Sequence, residues 1–399
     1  MSTSTTTPPV TPGRAEHRMP SLVQVFTRAT RPIRAAAKTA VFFLKVLPML
    51  PSKPVNWVTS PPVIERVRYP TRHGQVEGEL YRPSRGGPHP GIVMCPGVVP
   101  FGVDHPQVPR LEEALARAGF AALIYWSPAM RDLRLDPEDI ENIALAYHWL
   151  LEQPYVDPGR SGLFGTCVGG SFALMAAASP LIHDRVAFVG AFAPYASMWT
   201  FAQDIASATR PCGEGRSPWQ VDQLTRKVYV HSLTALLEPG EAERLRNAFT
   251  DQGGHLDSHD LSADGQAIYP LLTALGADEV ESALHRLPPA MQERLTALSP
   301  MSYLRDMRAP VIVFGHDRDD LVIPIGESRR LWSALSGRAG VRYTEFAMFQ
   351  HMDPTKRKLP LVRLVQQFGK FYLYLYRVFR QAAASDQEEY GKSLEYAHE

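Results

Sequence analysis

Cysteine is scarce: Cys95, Cys167 and Cys212 are the only three in 399 residues. Three scattered thiols make neither a disulfide framework nor a zinc site. A reducing, cytoplasmic compartment is therefore expected, in which a thiol is a free reagent. Long apolar runs are missing too; none approaches the roughly 18 residues that a membrane-spanning helix needs. The first stretch, MSTSTTTPPVTPGRAEHRMP, lacks the charged-then-apolar order of a secretory leader and reads as a polar tail. Charge of neither sign dominates: 42 Lys+Arg against 41 Asp+Glu leave a formal +1, so nothing global points to nucleic acid. No glycine loop with an adjacent lysine offers to cradle phosphate, and no ligand spacing suits a metal, so no cofactor is expected.

What is present begins with residues 21–58, which open as SLVQVFTRATRPIRAAAKTAVFFLKVLPML. Arg28, Arg31, Arg34, Lys38 and Lys45 recur at helical spacing, opposite Phe26, Ile33, Ala37, Val41 and Leu44, with Pro32 and Pro48 as interruptions. Two readings stand open for residues 21–50. Such a helix can lie in a membrane interface with its cations toward anionic lipid, giving peripheral association, or it can dock on the protein's own surface.

From residue 59 a different rhythm starts. IERVRY and VEGELYRP alternate with the period of half-exposed strands and join near His73-Gly74. GIVMC, AALIYW, GLFG, VAFVGAFAP, VIVFG and VRYTEF are short apolar strands separated by helices. One helix, 136–153, has Asp136 as N-cap, Pro137 at its first position and Asp139 reaching back. Strands alternating with helices predict a mostly parallel, doubly wound sheet of eight strands, opened by an antiparallel hairpin. This α/β core takes in 59–198 and 310–385, with a polar tail at 386–399. Between its halves, 199–309 is helical in character, and a helical insertion above the carboxyl ends of the strands would form a cap or lid.

The chemistry gathers at three loops. Gly165-Thr166-Cys167-Val168-Gly169 has the form G-x-C-x-G between an apolar strand and a small-residue helix. A nucleophile on such a tight turn sits in strained backbone, and the glycines let neighbouring chain come close. The positive end of the following helix favours thiolate. A buried structural cysteine is the competing reading for Cys167 taken alone. The order of the remaining residues decides between them: GHDRDDLV follows the next-to-last strand and FQHMD the last. Nucleophile, acid and base on successive loops at the carboxyl ends of strands are where a parallel sheet binds ligands. His351 is the expected base. Asp319 is the expected acid because it lies three residues before Val322, with Asp320 the alternative. An oxyanion would be met by the N–H groups of Val168 and of Val98, in the loop PGVVPFG.

On these residues the chain resembles the dienelactone hydrolase group of the α/β-hydrolases. The matching stretches are PGIVMCPG, VDPGRSGLFGTCVGGSFAL, APVIVFGHDRDDLVIP and FQHMDP, spanning 63–375 without the insertion. The resemblance implies an α/β-hydrolase fold and cofactor-free cleavage of an ester, lactone or thioester of a small-molecule acyl substrate through an acyl-cysteine. The loop CPGVVPFG lacks the acidic residue that dienelactone hydrolases place near the nucleophile, so lactone specificity is not implied. Polyhydroxyalkanoate synthases look similar at G-x-C-x-G-G, which leaves acyl transfer as an alternative, and a non-catalytic membrane-associated scaffold is a third. VDPGRSGLFG and the absence of glycine before His351 fit the hydrolase group better.

Overall fold

A computed structural model describes residues 22–47, 50, 53–99, 107–251, 256–273, 275–351 and 360–383. The strands are β1 (Val63–Thr71), β2 (Gly74–Arg82), β3 (His89–Cys95), β4 (Ala121–Ile124), β5 (Val156–Thr166), β6 (Phe188–Phe192), β7 (Thr209–Cys212), β8 (Gly215–Pro218), β9 (Ile312–Asp317) and β10 (Val341–Phe346). Eight of them form one sheet in the order β1-β2-β4-β3-β5-β6-β9-β10. The β1–β2 and β2–β4 pairs are antiparallel and all later pairs parallel. The half-exposed alternation in β1 becomes a fully buried run in β3, as a central strand covered on both faces requires.

Two apolar layers cover the faces. On one, the helices Glu138–Leu151, Val168–Ala176 and Ile325–Leu335 share a buried cluster with the sheet that continues into the insertion. On the other, the helices Leu22–Val46, Gln107–Arg117 and Leu361–Ala382 close over Ile92, Phe120, Phe188 and Phe346. Gly119, at φ +99°, ends the middle one of these as expected.

The N-terminal helix, Leu22–Val46, docks on the C-terminal helix, Leu361–Ala382. The docked stripe matches the expected one only in part, with Val41 packed against the buried layer. Ala35, Thr39 and Phe42 are buried, while Ile33 is 70 % exposed and Ala37 is also exposed. Small residues at 35 and 39 let the helices approach, and two of the cations, Arg31 and Lys45, find acceptors on the protein while Arg34 stays exposed. Arg31 Nε donates to Arg380 O at 3.2 Å, and Lys45 Nζ meets Glu113 at 3.0 Å and Asn56 Oδ1 at 2.9 Å. Arg110 Nε donates to Lys45 O at 2.6 Å, supplying a donor to the helix's last carbonyls. The helix continues through Pro32; Pro48 and residues 1–21 lie outside the described residues. Among the described residues no helix is long and apolar enough to cross a membrane.

A second local expectation is corrected in the helix Glu138–Leu151. Asp136 does accept from Glu138 N–H at 3.2 Å, but Asp139 turns into the core instead of reaching back to the cap. There it accepts from Tyr125 Oη at 2.6 Å and from Ser127 Oγ. Burial pushes its carboxyl up, and those two donors oppose the shift.

Between β6 and β9 the chain leaves the sheet. The insertion is helical (Met198–Ala206, Gln223–Leu233, Pro239–Arg246, Ala263–Leu272, Ala277–His285, Pro289–Ala297) but also contains the β7–β8 hairpin, which its helical character did not announce. Its two ends are tied at one place. Glu327 Oε2 accepts from Ala196 N–H at 2.9 Å and Ser197 N–H at 3.1 Å, and Met301 N–H donates to Ala196 O at 3.0 Å.

Candidate active site

Cys167 occupies the turn between β5 and the helix Val168–Ala176, with φ 55° and ψ −137°. That backbone is strained for a side-chain-bearing residue and persists only where neighbours over-determine it. Here Cys167 N–H donates to Phe192 O at 2.8 Å, and its carbonyl accepts from Gly170 N–H at 2.9 Å. The flanking glycines are needed for contact. A Cβ on Gly165 would stand 2.2 Å from Gly169 O, and one on Gly169 would stand 2.2 Å from Cys95 O and 2.5 Å from Gly97 N. The end of β3 and the loop after it thus lie directly against the elbow, where Thr166 Oγ1 also donates to Pro96 O at 2.9 Å. Cys167 is 9 % exposed, and the exposed part opens into a cavity.

His351 follows β10 on a loop with two successive left-handed residues, Gln350 at φ 41° and His351 at φ 80°. Asp317, at the end of β9, organises this loop. Its Oδ2 accepts from Met348 N–H at 2.6 Å and Phe349 N–H at 2.7 Å, while Oδ1 accepts from Asp319 N–H at 3.0 Å. The carboxylate set against His351 is that of Asp320, with Nδ1 to Oδ2 at 2.9 Å. Asp319, the acid expected first, lies one residue earlier and is partly exposed. The register follows from the turn: Asp320 Oδ1 accepts from Val322 N–H at 2.7 Å and Ile323 N–H at 3.0 Å, which buries residue 320 as the chain re-enters the core.

His316 adds a contact that sequence reasoning missed. Its Nε2 lies 2.9 Å from Ile323 O and 3.4 Å from Asp320 Oδ2, and its Nδ1 lies 2.7 Å from Ser328 Oγ. A histidine beside three aspartates in GHDRDD was the visible signal.

The charges reinforce one another. Burial alone would raise the Asp320 carboxyl, but the facing His351 and the bond from His316 hold it below the ordinary carboxylate range. Burial alone would lower His351. The charges of Asp320 and Cys167, with a hydrogen bond to each, outweigh it and hold the imidazole well above its ordinary value. Asp320 is thus hydrogen-bonded to a His351 imidazole whose proton Cys167 also helps to hold. Val168, the first residue of the elbow helix, carries an N–H with no intrahelical acceptor. Val98, Val168, Cys167 and His351 line the same cavity, which has a volume of about 1000 Å³ and mostly apolar walls. Among the described residues no group of His, Cys, Asp and Glu could hold a metal ion.

No family model matches the chain. Over 132 residues it is 33 % identical to human acyl-coenzyme A thioesterase 1, which is 31 % of this chain and 30 % of that protein. Over 126 residues it is 29 % identical to a probable 2-oxo-3-(5-oxofuran-2-ylidene)propanoate lactonase of Bradyrhizobium sp, 28 % of this chain and 50 % of that protein. The matches therefore span half or less of these curated relatives. Among solved structures, an acylaminoacyl peptidase in complex with Z-Gly-Gly-Phe-chloromethyl ketone superposes with a TM-score of 0.51 at 15 % identity, covering 82 % of this chain and 43 % of that one. Strand order, the strand–elbow–helix turn and this likeness agree: the chain has the α/β-hydrolase fold, with a helical insertion between β6 and β9.

Proposed function

We propose that this protein hydrolyses carboxylic ester or thioester bonds through an acyl-cysteine on Cys167, with His351 as base and Asp320 as acid. The observation that carries the reading is the hydrogen-bonded Asp320–His351 pair, with His351 and Cys167 lining one apolar cavity. The local likeness to a thioesterase and a lactonase supports the bond type.

In the first half-reaction the Cys167 thiolate attacks the carbonyl carbon, and the N–H groups of Val168 and Val98 receive the oxyanion. The tetrahedral adduct collapses, the carbon–oxygen or carbon–sulfur bond breaks, and the His351 imidazolium gives its proton to the leaving group. In the second half-reaction neutral His351 takes a proton from water, hydroxide adds to the acyl carbon, and the thiolate leaves. Asp320 holds the imidazole tautomer and stabilises its charge throughout. The insertion acts as a lid that keeps bulk water from the thioester.

The test is intact-protein mass spectrometry during turnover of p-nitrophenyl butyrate, in a Cys212→Ser background so that labelling reports Cys167. An acyl mass is expected on Cys167, abolished by prior iodoacetamide, with turnover lost in Cys167→Ala. Undiminished hydrolysis by Cys167→Ala would overturn the reading. Acyl delivery to an added alcohol in preference to water would convert it to a transferase.

A further inference from the structure

The cavity at Cys167 straddles the carboxyl edge of the sheet. On one side its wall is the insertion, through Met198, Phe201, Val228, Met291 and Leu295, all members of the buried cluster shared with the elbow helix. On the other its wall is Phe42, Val46 and Leu47 from the N-terminal helix and adjoining linker, facing Leu111, Phe371 and Leu375. Five of the six belong to the layer on the opposite face of the sheet, and Leu47 is buried as well. Cys167 lines the same cavity.

Resting on the hydrolase reading above, we infer that the substrate carries an extended apolar arm on each side of the scissile bond. One arm lies under the insertion. The other lies between the N-terminal and C-terminal helices, where Val46 and Leu47 limit its length. A volume of about 1000 Å³ is at the upper end of small-molecule pockets. A short substrate would leave one lobe lined by side chains that forfeit their contacts. The two arginines on the walls differ, because Arg294 Nε is buried with no hydrogen-bond partner among the described residues. Arg110 donates to Lys45 O at 2.6 Å and Leu47 O at 3.2 Å, and Arg294 donates to Leu135 O at 2.5 Å. Arg110 braces the helical wall, which favours a neutral, lipid-like arm on that side. The helical wall is itself fixed, by Arg110 at its last carbonyls and by Lys45 on Glu113.

Two series separate the arms: ethyl esters of acids from two to twelve carbons, and acetates of alcohols over the same range. In each, kcat/KM of the full-length protein is expected to rise about fourfold per added methylene until its lobe is full, the factor that corresponds to about 0.8 kcal/mol of burial. Normalised to each variant's own rate on ethyl acetate, Val46→Phe should cut the ten-carbon rate at least tenfold in one series only. Leu295→Phe should do so only in the other. Val46→Ala, which empties space, should move the plateau of the Val46-sensitive series to longer chains. Flat slopes, or both fillings acting on one series, would overturn the inference while Cys167-dependent turnover kept the hydrolase reading intact. If Cys167 proves dispensable, the arms are still read from thermal shifts of Cys167→Ala by ethyl decanoate and decyl acetate. Each filling variant should then abolish the shift from one compound only, and loss of both or neither would overturn the inference.

Discussion

Three aspartates within four residues divide the labour at the candidate site. Asp317 accepts from the backbone of the base loop, Asp320 accepts from His351, and Asp319 precedes the turn. Asp320→Asn keeps the shape but removes the charge that holds the imidazolium, so kcat/KM should fall about 10³–10⁴-fold. Asp319→Asn should stay within about threefold, and equal losses in steady-state assays would reject Asp320 as the acid. Stability carries a sign as well. His351 is raised in the fold, so its contribution is full below the unfolded value of about 6.5 and is lost as pH rises through the folded one. Asp320 is depressed, so its contribution is full above about 3.9 and is lost as pH falls through the folded value. The Tm gap between the wild type and Asp320→Asn should therefore be widest between about pH 4 and 6.5 and narrow on the alkaline side. A gap that widens above pH 8 would show that the pair is not ionised as described.

At the scale of elements, the elbow was legible because its requirements are local: an apolar strand, glycines at fixed offsets and a helix of small residues. Gly169 shows how tight those requirements are. Its Cβ would meet backbone 2.2 Å away, whereas a Cβ on Gly170 would have its nearest neighbour at 3.2 Å. Gly169→Ala should cost about 3 kcal/mol in urea unfolding and displace the nucleophile, with Gly170→Ala clearly milder. Equal costs would mean that the turn relaxes around a side chain. What sequence could not supply was partner choice. The N-terminal helix has cations and apolar residues on several faces, and which stripe docks depends on small residues meeting the C-terminal helix. Choosing Asp320 over Asp319 depends likewise on a turn in a polar loop, where no periodicity marks the inward residue. Asp139 was read as a cap from its spacing, yet Tyr125 and Ser127 offered it stronger partners inside.

For the whole molecule, a mostly parallel sheet of eight strands opened by an antiparallel hairpin followed from the alternation of patterns, but strand order and the insertion's relation to the site did not, because its helices have no repeat. One buried cluster runs from the elbow helix into the insertion, so the two are welded by apolar contact. Yet under the proposed function Cys167, 9 % exposed, must be reached by substrate. With both ends of the insertion pinned at Glu327 and Ala196, an insertion acting as the proposed lid would lift between them by releasing its contacts with the core. One such clasp is at Leu135, whose N–H donates to Ser232 Oγ at 2.9 Å and whose carbonyl accepts from Arg294. The three thiols report this motion separately. Cys212 is exposed on the hairpin, and Cys95 is 3 % exposed, with burial pushing its thiol well above the ordinary range. An aromatic disulfide reagent should titrate Cys212 at once, Cys167 at the rate of local opening, and Cys95 only on global unfolding. Ser232→Ala removes one clasp hydrogen bond, about 1 kcal/mol, and should speed Cys167 labelling about fivefold while leaving the urea dependence of Cys95 unchanged. If Cys167 and Cys95 share one urea dependence, the insertion opens only when the molecule unfolds, and it cannot serve as a lid.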